Sequence, residues 1–126
     1  MKKCLLLSLI FISQSLFSQE QKALWVWQGN TSEHTFSITL SKSENGYSGT
    51  YCAIGMAGRR TDCSANSAET FSTALSGEIF EFKTNYSRAL GTASITLIGE
   101  ELHWEIIKAP NGEHYAPKEA LLKRHQ

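Results

Sequence analysis

"HTFSITLSKSENGYSGTYCAI", His34 to Ile54, alternates apolar and polar side chains on both sides of a glycine-bearing turn. In its first arm Phe36, Ile38 and Leu40 fall on one face, with Thr35, Ser37 and Thr39 on the other. Successive side chains of a strand point to opposite faces, so a period of two specifies a half-buried β-strand. Glu44-Asn45-Gly46 supplies the reversal, because Gly46 can take a positive φ. Beyond it Tyr47, Gly49, Tyr51 and Ala53 oppose Ser48, Thr50, Cys52 and Ile54, which makes a second strand and a β-hairpin.

The same period recurs along the chain. "ALWVWQG" (23–29) is an aromatic-rich strand upstream of the hairpin. "TALSGEIFEFKTNY" (73–86) sets Phe80, Phe82 and Tyr86 against Glu81, Lys83 and Asn85, as one long bent strand or two short ones. Gly77 marks the bend or bulge. "TASITLI" (92–98) and "LHWEIIKA" (102–109) form another hairpin, with Leu102, Trp104 and Ile106 on one face and His103 and Glu105 on the other. Pro110-Asn111-Gly112 is a turn, "SANSAET" (64–70) is a loop, and "KEALLKR" (118–124) reads as a closing strand. These segments predict an all-β fold: an antiparallel up-and-down meander of about seven or eight strands, closed as a barrel or folded as a sandwich.

The first nineteen residues stand apart. Lys2 and Lys3 precede the apolar run Leu5–Ile12, and a short polar stretch follows, the layout of a cleaved secretory signal peptide. The run is about half the length needed to cross a bilayer. Residues 1–19 are therefore expected to be a signal peptide carrying Cys4 away, and 20–126 a single domain that is periplasmic or secreted. Lysine plus arginine equals aspartate plus glutamate at 12 each, and losing the two leader lysines leaves acids in slight excess. That balance offers nucleic acid no electrostatic attraction.

Two cysteines remain after processing, Cys52 and Cys63, and an even count in an exported chain reads as a disulfide. Zinc clips place cysteines two to four residues apart beside two further ligands, a pattern not met here. Between the cysteines lie two glycines, the arginine pair Arg59-Arg60 and Met56. A disulfide would hold this glycine-rich loop in one conformation, and Arg and Met are enriched at protein interfaces. Met56, Arg59 and Arg60 are the first candidate binding residues, with Arg60 paired to Asp62 or a nearby glutamate if the loop is merely solvated surface.

The run "WQG…FSITL…NGYSGTYCA" resembles the first three strands of calycin-type barrels, the lipocalin and avidin group, over residues 25–53. The tail "LHWEIIKAPNGEHYAPKEALLKR" is similar to the end of small exported bacterial β-proteins of undetermined role. Ser48-Gly49-Thr50-Tyr51 is similar to, and one residue shorter than, the SGxxY-type loop motif of periplasmic lysozyme inhibitors. The resemblance to calycins implies a barrel that carries a small apolar ligand. It transfers no ligand-contacting residue onto this chain.

Enzyme signatures for a nucleophile elbow, a zinc protease helix, a redox CxxC or a phosphate loop do not occur. Trp25 and Trp27 stand two apart and share a strand face, either as packing or as the wall of an apolar cavity or aromatic platform. His103 and Glu105 place an imidazole and a carboxylate on one face about 7 Å apart, the weakest of three functional readings, a hydrolase. His34, His103 and His114 are scattered, and neither a metal nor a cofactor is expected. The leading expectation is a non-enzymatic protein that recognises an envelope component or a foreign enzyme through the braced loop. A carrier of a small apolar ligand is the alternative.

Overall fold

A computed structural model describes residues 21–64, 70–85 and 87–125. The expected signal peptide and Tyr86 lie outside them. Among the described residues nine strands follow in order: β1 (Lys22–Trp27), β2 (Thr35–Ser43), β3 (Gly46–Gly55), β4 (Arg60–Cys63), β5 (Phe71–Thr73), β6 (Ser76–Lys83), β7 (Leu90–Ile98), β8 (Glu101–Lys108) and β9 (Glu119–Arg124). The count exceeds the expected seven or eight because β4 and β5 are short pieces of four and three residues. Every pairing is antiparallel, and the ladder runs β4-β3-β2-β1-β9-β8-β7-β6 with β5 on the free edge of β3. The first and last strands pair, so the meander curls into a barrel-like sheet.

The hairpin that opens the sequence forms as read. Thr35 to Ser43 pairs residue for residue with Ile54 back to Gly46. The stretch 73–85 divides between two strands. β5 runs antiparallel to β3, the chain reverses through Ala74 and Leu75, and β6 returns against β7. Leu75 at φ +63° and Gly77 at +91° make that reversal, and a bulge lies between Ser76 and Ile79. Among the described residues no ladder joins β4 or β5 to β6, which leaves a seam.

The inner face is packed around Trp104. The rings of Phe36 and Phe82 lie 5.2 and 5.4 Å from it, and those of Phe80, Tyr51 and Phe71 between 6.3 and 6.4 Å. Its indole N–H donates to the Pro117 carbonyl at 2.8 Å. Gly49 makes room for this cluster, since a Cβ there would fall 2.5 Å from the Phe71 ring. The middle of the sheet is therefore filled with aromatic rings. Among the described residues no helix is long and apolar enough to cross a membrane.

The two ends of the sheet differ. One carries the tight turns at 44–45 and 99–100, and the other carries the longer connections 28–34, 84–89 and 109–118 with the β3–β4 turn.

Candidate functional site

The β3–β4 hairpin is held at three places. Cys52 and Cys63 stand directly across the ladder and form a disulfide. Both fall on the outer side of the alternation, opposite in sense to buried Tyr51 and Ala53. A sulfur link of this kind belongs to an oxidising compartment. At a sequence separation of 11, chain-entropy reasoning assigns it about 3 kcal/mol. Cys52→Ser/Cys63→Ser is expected to lose that much in urea unfolding, and a loss below about 1 kcal/mol would refute the assignment.

The second tie is Asp62. Sequence reading offered it as a surface partner for Arg60, and the structure corrects this: Asp62 is fully buried while Arg60 is exposed. Alternation along β4 turns Asp62 inward across from Ala53. Its Oδ1 accepts from the Tyr51 hydroxyl at 2.8 Å, the Thr84 hydroxyl at 2.9 Å and the Asn85 N–H at 2.9 Å. Oδ2 accepts from the Tyr115 N–H at 3.0 Å. These donors come from β3, from the chain just beyond β6 and from the β8–β9 connection, so one carboxylate bridges the seam that the ladder leaves open. Burial first, then the charge and hydrogen bond of Asp62, push the Tyr51 phenol well above its ordinary range, so it stays a proton donor.

The third tie is at the tip. Met56, Ala57 and Gly58 have φ of +53°, +55° and +91°, three left-handed residues in succession. The Ala57 N–H donates to the Glu33 carbonyl and the Arg59 N–H to the Met56 carbonyl. Left-handed backbone is unfavourable for residues bearing a Cβ and persists where its surroundings enforce it. Met56 is 56 % exposed, and Arg59 and Arg60 are exposed beside it. The three loop candidates are thus brought together on a fixed turn.

Trp25 and Trp27 share a strand face yet serve opposite ends. Trp27 is half-buried beside the hairpin end, with its ring edge-on to His34 at 5.2 Å. It also covers Gly29, where a Cβ would come within 2.7 Å of the indole. His34 Nε2–H in turn donates to the Tyr115 carbonyl at 2.9 Å. Trp25, 8 % exposed, lies at the other end and lines an open cavity of about 980 Å³ with Leu40, Tyr47 and Leu75. The void sits at this mouth and not in the aromatic-filled middle. Its rim was missed in sequence because it joins residues of β1, β9 and two turns far apart along the chain.

His103 and Glu105 stand on the outer face of β8, and neither lines this cavity. The His103 Nε2 lies 3.9 Å from Glu101. Among the described residues no three histidine, cysteine, aspartate or glutamate side chains converge as a metal site. No family model, curated protein or solved structure matches the chain.

Proposed function

We propose that this chain is an exported, periplasmic or secreted, non-enzymatic binding protein that recognises a macromolecule through the β3–β4 hairpin. An envelope component or a foreign enzyme held in the manner of an inhibitor is the expected partner. The observation that carries this reading is the exposed tip: Met56 at 56 % exposure on a left-handed backbone, beside two exposed guanidinium groups. Stability alone would select against such a turn, whose unfavourable residues cost roughly 1–3 kcal/mol each. A turn already ordered by the disulfide, Asp62 and Glu33 loses little entropy on association. Arginine supplies planar, bidentate hydrogen bonding to carboxylates, and Met56 a deformable apolar contact.

Arg59→Ala/Arg60→Ala is the direct test. Side by side with the wild type in affinity capture from periplasmic and extracellular extracts, the double variant should lose the partner. Its unfolding midpoint should move by no more than about 0.5 kcal/mol equivalent, as exposed side chains require. Equal capture by both proteins would remove the loop from the reading.

A second reading, a carrier of a small ligand, is favoured by the open cavity over Trp25 at the opposite end. On this second reading the ligand sits at the mouth, since the middle of the sheet is filled with aromatic rings.

A further inference from the structure

We infer that the cavity over Trp25 binds a single-tailed amphipathic anion, a deepening of the carrier reading that is independent of the hairpin. Three observations converge. The cavity, about 980 Å³, is at the upper end of the roughly 300–1,000 Å³ typical of small-molecule sites. Its floor is apolar: Trp25, Leu40 and Leu75 are buried side chains of the inner face. At the β7–β8 turn the floor runs out to Leu97 and Ile98, which are 41 % and 55 % exposed. These are apolar side chains left beside an opening, where an acyl chain would cover them.

The rim is cationic. Lys22, Lys42, Lys123 and Arg124 all line it, against Glu100 and Glu101. This surplus occurs in a chain whose acidic and basic residues are equal in number. Glu101 stands across the ladder from Lys123 and shares the outer side of β8 with His103, 3.9 Å away. That leaves Lys22, Lys42 and Arg124 facing Glu100. Among the described residues none of these three cations is held in an ion pair. The Lys42 ammonium sits 5.7 Å from the centre of the Tyr47 ring, which keeps it over the lip of the cavity. An apolar floor under a ring of cations suits a ligand with a hydrocarbon tail and a carboxylate or phosphate head. A neutral hydrocarbon would leave the cations unanswered, and a small inorganic anion would leave the floor wet. The same head chemistry is presented by free amphiphiles and by anionic lipids in a bilayer.

Calorimetric titration of the purified protein with decanoate, 1-decanol and decyltrimethylammonium separates the terms. Decanoate should bind saturably at one site and about tenfold more tightly than decanol, the effect of two or three partly exposed charge contacts. Decyltrimethylammonium should bind weakest. Lys42→Gln/Arg124→Gln, two exposed positions, should cost about tenfold for decanoate and leave decanol unchanged. Decanol binding as tightly as decanoate would overturn the anion assignment and leave the carrier reading standing. No saturable binding of either would overturn both. Decanoate binding unaltered in the double variant would move the site elsewhere. Sedimentation with phosphatidylcholine vesicles, with and without phosphatidylglycerol, is the final arm. Retention on the anionic vesicles without binding of decanoate would replace a cavity ligand by a membrane surface and so overturn the inference.

Discussion

Asp62→Ala is expected to destabilise the protein by about 4 kcal/mol, because removing one member of a buried, charged hydrogen-bond network strands its partners. Four donors converge on the Asp62 carboxylate, from Tyr51, Thr84, Asn85 and Tyr115. The Tyr51 hydroxyl has a second, longer contact to the Lys83 carbonyl at 3.5 Å. In a domain of this size each kcal/mol corresponds to roughly 4–8 °C, so the thermal midpoint should fall by some 20 °C. Tyr51→Phe deletes one donor and leaves the carboxylate its other partners, so it should cost only about 1–1.5 kcal/mol. The ordering is the test. If the two variants unfold at the same midpoint, the carboxylate does not hold the seam. The disulfide should still form in Asp62→Ala, since Cys52 and Cys63 face outward from the hub and remain opposite one another in the ladder.

Trp104→Ala carries the other large effect. Trp104 is essentially inaccessible, and five aromatic rings have centroids within 6.4 Å of its own. Truncation removes a large buried side chain and opens a cavity that a curled sheet cannot collapse, for which about 3–5 kcal/mol is expected. It also strands the Pro117 carbonyl that accepts the indole N–H. Trp104→Phe keeps a ring in the cluster and loses the hydrogen bond with part of the contact area, so its cost should be about half as great. Urea midpoints at unchanged m-value would measure both. A Trp104→Ala variant within about 1 kcal/mol of wild type would mean that the aromatic cluster is not the core. If the Phe variant is as damaging as the Ala variant, the Pro117 hydrogen bond outweighs the packing.

Much of this architecture was legible in the residues. Phe36, Ile38 and Leu40 are buried in alternation with their neighbours, as are Leu102, Trp104 and Ile106. Gly46 does turn at positive φ, and 119–124 does close the sheet as a strand. The Cys52–Cys63 pairing followed from two cysteines in an even set, and the structure adds that they meet across one ladder step. Asp62 was misread because a carboxylate two residues from an arginine looks like a surface pair. Continuing the alternation back from Cys63 would have turned it inward, yet nothing local shows that Thr84, Asn85 and Tyr115 wait there. Trp25 and Trp27 were correctly set on one face, and their separation to opposite ends could not be seen without the third dimension.

Alternation of side chains by itself determined that this chain folds as half-buried strands and which face of β2 and of β8 is buried. These are properties of neighbours along the backbone, fixed by a period of two. The tertiary structure alone decided that a buried aspartate closes the seam and that one mouth stays open. It alone set Lys22, Lys42, Leu75, Ile98 and Arg124 around a common cavity. Those depend on how the sheet curls, which brings together residues far apart in sequence whose contacts no local pattern encodes.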